Sequence, residues 1–331
     1  MNAELFERLQ ALFGAMVERD VPLAPFTSAR VGGPADVLIT VRRARELALV
    51  ARRLWEMDVP FLVLGGGSNV LVADAGVRGV VVLNRSKQVA FDRENAEVWA
   101  ESGVNLGSLA RRAAQQGLAG LEWAAGIPGT VGGAVVGNAG AHGGDISSVL
   151  KVAEILQRDK GKGFFTPDEL GYDYRTSILK QNYDQMVVLS ATFKLCLGDP
   201  AEIQSEMDEY RAQREKTQPP GASMGSMFKN PPGDYAGRLI EAAGLKGASV
   251  GDAEISTLHA NFFINNGHAT ANEILALMDL ARSTVAAKFG VWLEPEIVLV
   301  GEWPAKVRAA FLSKEPLPAD DFPALRRRPN G

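Results

Sequence analysis

The stretch AAGIPGTVGGAVVGNAGAHGGD, Ala124 to Asp145, holds eight glycines in 22 positions and no formal charge before its last residue. Glycine loses more conformational freedom on folding than any other residue, so such density needs positive φ angles or close backbone approach to justify it. A flexible linker is one reading, but linkers are rich in Ser and other polar residues, and this stretch interleaves Ile127, Pro128, Val131, Val135 and Val136. The sharper reading is a wall of backbone N–H groups that a phosphate-bearing ligand approaches closely, because no side chains stand in the way.

Working outward, PFLVLGGGSNVLVAD (60–74) reads as a strand, a glycine turn and a second strand. The dinucleotide fingerprint G-x-G-x-x-G would need glycine at Val70, and no Lys-Ser/Thr pair follows as a P-loop requires. Both standard nucleotide motifs fail. Before the turn, VGGPADVLITV (31–41) reads as a turn and strand, and ARELALVARRLWEMD (44–58) as an amphipathic helix. After it come the short strands GVVVLN and AEVWAESG, then NLGSLARRAAQQG, a helix capped by Asn105 and stopped by Gly117. Past the glycine-rich stretch, VVLSATFKLCLG (187–198) is a strand, and DPAEIQSEMDEYRAQREKTQPP (199–220) a charged helix stopped by prolines. The second half reads as helix, strand, long helix and strand over 220–301.

This layout predicts an N-terminal helix over 1–19, a large domain over 20–198, a linking helix over 199–219, a small α+β unit over 220–301, and a Pro-rich, charged tail over 302–331 that is peripheral or disordered. The N-terminal helix should bury Leu5, Phe6, Leu9, Leu12 and Phe13 on one face.

With 331 residues, 46% of them hydrophobic and 22% charged, the chain can fill more than one core. A net charge of −4 argues against nucleic acid as a partner. No signal-peptide pattern occurs, and no apolar run reaches the roughly 20 residues of a membrane span, which points to a cytoplasmic protein with no membrane partner. The single cysteine, Cys196, excludes an internal disulfide and reads as a small buried strand residue. The three histidines lack helical metal spacing, so no metal is expected.

Four segments carry polar groups where their surroundings are apolar. GYDYRTS places Arg175 between two strands. GSMFKNP places Ser226, Lys229 and Asn230 in a loop bounded by Gly and Pro, which ordinary turn chemistry also explains. HANFF places His259 and Asn261 at a strand start. LEPEIVL places Glu294 and Glu296 on one face of a strand, with Ile297 and Leu299 on the other, and alternation does not choose between the two acids. Ser226 lacks the G-x-S-x-G setting of a hydrolase nucleophile.

Taken in order, VGGPADV, LVLGGGSNVLVAD, GLEWAAGIPGTVGGAVVGNAGAHG, GYDYRTS, GSMFKNPPGDYAGRLIEAAGLKG, ANFFINNG and FGVWLEPEIVLVG closely resemble the UDP-N-acetylenolpyruvoylglucosamine reductase (MurB) family of bacterial flavoenzymes, over roughly residues 20–301. The resemblance implies an α+β chain with a two-subdomain FAD-binding domain of the vanillyl-alcohol-oxidase type and a C-terminal α+β substrate domain. It puts FAD against Gly65, Gly66, Gly67, Ser68 and Asn69, and against Ala125, Gly126, Ile127, Pro128, Gly129, Thr130, Gly132, Gly133, Asn138 and Gly140. It implies NADPH as reductant of the FAD and UDP-N-acetylglucosamine enolpyruvate as substrate, with UDP-N-acetylmuramate for peptidoglycan as product.

Three catalytic roles follow from the same resemblance. Ser226 protonates C2 of the enolpyruvyl group, Arg175 holds its carboxylate, and Glu296 rather than Glu294 assists as an acid or hydrogen-bonding partner. Tyr174, Lys216, Lys229, Asn230, His259 and Asn261 would contact substrate. No insertion between Arg175 and Ser226 supplies the tyrosine lid of the longer family branch, so another residue must serve. A flavin-dependent sugar or alcohol oxidase of the same fold is the rival reading, with His142 the candidate for covalent attachment, and a non-catalytic sugar-nucleotide binding module is a second. No heptad seam shows, which suggests a monomer.

Overall fold

The computed structural model describes residues 3–313 and Pro316. The chain forms two compact units, and neither is one continuous segment. The first comprises Met1–Arg19, Val37–Gly66 and Gly79–Arg214, and the second Asp20–Asp36, Gly67–Arg78 and Glu215–Gly331. Sequence patterning places the boundary near residue 200 but gives no hint that two short N-terminal segments join the second unit.

Besides two two-stranded sheets, the first unit has two larger ones, each with its own core. One is four-stranded, in the order Val17–Pro22, Pro34–Val41, Val77–Asn84, Phe61–Leu64, with Phe61 to Leu64 running parallel to Val80 to Leu83. The helix Ala44–Glu56 buries Leu47, Ala48, Val50, Ala51, Leu54 and Trp55, the spacing that puts apolar side chains on one face. They join Ile39, Val41, Val80 and Val82 in one cluster. Leu9 and Phe13 from the N-terminal helix Ala3–Phe13 reach the same cluster. Leu12, expected on that face, is 51% exposed: the helix ends at Phe13, and the chain turns through Gly14–Met16 into a strand.

The second sheet is antiparallel, in the order Gly161–Phe165, Leu150–Gln157, Met186–Lys194, Glu97–Glu101, Val89–Asp92. The helix Leu106–Gln115 packs against it, and Asn105 caps the helix by accepting from Ser108 N at 2.8 Å. Cys196 is exposed, against expectation. Phe193 and Leu195 point into the core, and alternation turns Lys194 and Cys196 outward. The charged helix Pro200–Thr217 buries only Ile203 and Met207.

The second unit centres on the helix Ala271–Phe289, which starts with a capping box of Thr270 and Glu273 and stops at Gly290. Its first N–H groups also reach across the sequence, with Ala271 N and Asn272 N donating to the two carboxylate oxygens of Asp74 at 2.8 and 3.0 Å. A three-stranded antiparallel sheet, Ser249–Val250, Ala253–Ile255 and Phe263–Asn265, packs on that helix. A strand far along the chain, Val298–Val300, pairs in parallel with Val70–Val72. Ala29, Val31, Leu71 and Ala73 sit in the same core.

The head of the tail is not peripheral. The helix Ala305–Leu312 packs Val307, Ala310 and Phe311 into the core beside Trp303. The rest of the expected disordered tail, apart from Pro316, lies outside the described residues.

Candidate active site

In the first unit, the glycines of the opening stretch divide into three groups. Some are needed for close packing within the chain. A Cβ on Gly132 would meet Ser102 Cβ at 2.9 Å, one on Gly140 would meet Gly144 O at 2.6 Å, and one on Gly144 would meet the Trp123 ring at 2.3 Å. Others supply a backbone shape: Gly126 and Gly129 have φ of 74° and 113°, which side chains rarely tolerate. The third group faces open space. Gly133 has only Thr130 Oγ1 nearby, at 3.8 Å, and Gly137 has nothing within 4 Å.

The turn that begins at Gly65 abuts this stretch. A Cβ on Gly65 would meet Thr130 Oγ1 at 2.4 Å, and one on Gly66 would meet Gly129 Cα at 2.9 Å. Arg85, its ordinary pKa lowered by burial, donates to Gly65 O at 2.9 Å. Among the described residues, no acceptor receives the N–H of Gly66 or of Gly133. This backbone fits FAD. Bare N–H groups at Gly66 and Gly133 and room at Gly133 and Gly137 could admit an extended phosphate-bearing cofactor, whereas Gly132, Gly140 and Gly144 serve the protein's own packing. The side chain of Asn138 is committed internally, accepting from Ser147 N at 3.0 Å and donating toward Asp173 O at 3.3 Å.

The segment GYDYRTS hooks the end of the short helix Val131–Gly137. Tyr172 Oη donates to Val135 O at 2.8 Å, Ser177 Oγ to Val136 O at 2.6 Å, and the Arg175 guanidinium to Asn138 O at 3.4 Å and Gly140 O at 2.7 Å. Carbonyls at a helix end lack intrahelical donors, so three side chains of one turn satisfy this one. Burial, then the charge of Asp145, pushes the Tyr172 hydroxyl pKa up. Arg175 itself sits at φ 58°, at the tip of a turn closed by Asp173 and Thr176, with its guanidinium 5.5 Å from the Tyr174 ring. Tyr174 is half exposed. Arg175 and Tyr174 are legible in the sequence, whereas Tyr172 and Ser177 carry no signal there beyond a polar pair beside an apolar strand.

Also in this unit, Arg214 lies over Gly126, with Nε 3.4 Å from where a Cβ would stand. Burial lowers its pKa, and burial together with Arg214 lowers that of His142, whose ring stacks on Tyr210 at 4.2 Å.

In the second unit, the loop holding Ser226 is bound to two segments. Ser226 bridges Phe262, and Met227 N donates to Asn261 O at 2.9 Å. The buried side chain of Asn261 accepts from Phe228 N at 3.0 Å and donates to Phe228 O at 2.8 Å, so it clamps the loop. On the other side, Glu296 N donates to Met227 O and Lys229 N to Glu294 O, both at 2.9 Å, around a bridge between Phe228 and Pro295. Glu296, far away in sequence, is thereby set opposite Met227, the neighbour of Ser226. The two acids precede the strand rather than lie within it, since regular pairing starts only at Val298. Proline has no N–H for a ladder, yet alternation survives: Leu293 and Ile297 are buried, and Glu294 is exposed. Glu296 O accepts from Asn69 Nδ2 at 3.2 Å.

Lys229 Nζ pairs with Glu294 Oε1 at 2.5 Å. Asn230 accepts from Ala236 N at 3.1 Å, at the start of a helix. His259 Nδ1 accepts from Asn261 N at 3.2 Å, and burial lowers its pKa. Lys216 is exposed. Among the described residues, no cluster of three His, Cys, Asp or Glu could hold a metal ion, and no helix is long and apolar enough to cross a membrane.

A family described as FAD binding domain matches residues 35–162. The chain is therefore an FAD-binding oxidoreductase, built as a two-subdomain FAD domain of the vanillyl-alcohol-oxidase type with a C-terminal α+β domain. Residues 216–300 match the family described as UDP-N-acetylenolpyruvoylglucosamine reductase, C-terminal domain. The reductases so named from Chloroflexus aggregans and Rubrobacter xylanophilus are each 46% identical to it, over 84% and 89% of this chain and 96% and 98% of theirs. The solved MurB from Thermus caldophilus superposes with a TM-score of 0.73 at 39% identity, over 87% of this chain and 99% of that one. The chain belongs to the UDP-N-acetylenolpyruvoylglucosamine reductase family.

Proposed function

We propose that the chain reduces the enolpyruvyl group of UDP-N-acetylglucosamine enolpyruvate to give UDP-N-acetylmuramate for peptidoglycan synthesis, with NADPH as reductant, acting as a monomer in the cytoplasm. FAD, held by the backbone of the Gly65 turn and of the stretch Ala125 to Gly140, would supply the hydride chemistry that links NADPH to C3 of the substrate. The remaining needs are a proton at C2 and a home for the charge that builds there and on the adjoining carboxylate.

Ser226 gives the proton to C2. Glu296 hydrogen-bonds the enol form of the substrate or acts as acid beside it. Arg175, oriented by Asn138 O and Gly140 O, holds the substrate carboxylate through its planar guanidinium. Lys229, paired with Glu294, stabilises the alkoxide left on Ser226. Tyr174, Lys216, Asn230 and His259 contact the rest of the substrate, while Asn261 acts on the loop. The observation that supports this reading best is the placement of Glu296 opposite Met227, the neighbour of Ser226, fixed by Glu296 N on Met227 O at 2.9 Å.

Anaerobic stopped-flow absorbance tests it. The flavin band should bleach with NADPH and return rapidly on adding the enolpyruvyl substrate without oxygen. Return only on admitting air would replace this reading with that of an oxidase.

A further inference from the structure

Arg282 is a charged residue with 2% of its surface exposed, in the middle of the helix Ala271–Phe289. Its guanidinium lies over the Trp292 ring, 4.7 Å from the centroid, and donates to Ala310 O at 3.4 Å and Ser313 O at 2.5 Å. Trp292 Nε1 donates to the same Ser313 O at 3.1 Å. The guanidinium thus ties together the end of the helix Ala305–Leu312 and the start of the segment Trp292 to Glu296. That last helix lies past residue 300, where the family match ends.

We propose that Arg282 is a positioning residue for the reaction: through Trp292 and the terminal helix it fixes the approach to Glu296, and so the carboxylate's place beside Ser226. The segment from Val291 to Ile297 has no regular secondary structure to hold it. Its later half is pinned by Lys229 N, Met227 O and Asn69 Nδ2, and its earlier half by Trp292. Burying a guanidinium costs desolvation, and burial lowers its pKa here. An apolar side chain of similar length would fill the same space without that cost, so packing alone does not account for the charge. Two carbonyls and an aromatic face are what a planar cation can hold at once, and what Met or Lys cannot reproduce.

The inference rests on the proposed role of Glu296. The test uses the full-length FAD-loaded protein and four forms: native, Arg282→Met, Glu296→Gln and the double variant. NADPH-driven flavin bleaching and substrate-driven return of the band are timed separately. Arg282→Met should leave bleaching unchanged and slow the return on the order of tenfold, since small misplacement of a catalytic group costs that much or more. In the Glu296→Gln background the same change should have little further effect. If Arg282→Met slows both steps equally, or slows the return as much without the Glu296 carboxylate as with it, the proposal is overturned. Should Arg282→Met not fold, Trp292→Phe, which keeps the ring and removes the donor to Ser313 O, is read by the same criteria. If the native protein shows no return with substrate, the functional reading fails, which is a separate result.

Discussion

Replacing Asn261 by Ala tests whether that residue serves the loop or the substrate. Its two amide atoms make paired bonds to the backbone of Phe228, at 3.0 and 2.8 Å, and Phe228 is 1% exposed. Truncation would leave one buried N–H and one buried C=O without partners. Each such orphan costs about 1–3 kcal/mol, so the expected loss from the two is about 2–6 kcal/mol, lessened if water enters the gap. Asn261→Asp keeps the acceptor for Phe228 N but sets a carboxylate oxygen against Phe228 O, so it should be destabilising as well. Urea unfolding followed by tryptophan fluorescence, with the slope checked for constancy, measures the difference. A loss below about 1 kcal/mol in Asn261→Ala, accompanied by weakened substrate binding, would refute the clamp and return Asn261 to the substrate.

Three further outcomes follow from the site. Ser226→Ala should reduce with NADPH at a near-normal rate yet fail to reoxidise with substrate, and equal damage to both half-reactions would contradict the proton-donor role. Gly133→Ala should fold as well as the native chain but hold FAD more weakly, whereas Gly132→Ala should be destabilised by contact with Ser102. Fluorimetric FAD titration and a melting curve on each separate the two cases. His259 has a folded-state pKa depressed mainly by burial, so the unfolded chain takes up a proton first as pH falls. The stability present above about pH 6.5 should decline below it, levelling off beneath the folded value, and His259→Gln should flatten that decline.

Much of this was legible because the signals were local. Period 3.6 in residues 44–56, Asn105 before its helix and Gly290 after Phe289 each act within a few residues, and the structure has those elements. The hidden parts depend on contacts distant in sequence. Gly132 and Gly133 are adjacent and identical as letters, and only Ser102, thirty positions earlier, makes one a packing residue and leaves the other open. Asn261 looked like a ligand because it is polar beside an apolar strand, and its partner is a main-chain amide that no side-chain pattern reveals. Glu294 and Glu296 were assigned to a strand because alternation holds there, but Pro295 keeps the ladder from starting before Val298. The helix Ala305–Leu312 was masked by the Pro-rich, charged composition around it, although Val307, Ala310 and Phe311 carry the spacing of a buried face.

The pairing of Val70–Val72 with Val298–Val300 has a consequence for synthesis. Asn69 and the backbone of Glu296, which flank it, are 227 positions apart. A ribosome must therefore finish almost the whole chain before that edge is covered, and until then Leu71 and Ala73 wait without the core they will join. Contacts of such separation close slowly, and unpaired edges invite aggregation meanwhile. The C-terminal half expressed alone would lack a strand and the carboxylate of Asp74 that caps its main helix, so supplying residues 20–78 as a separate fragment should improve its recovery.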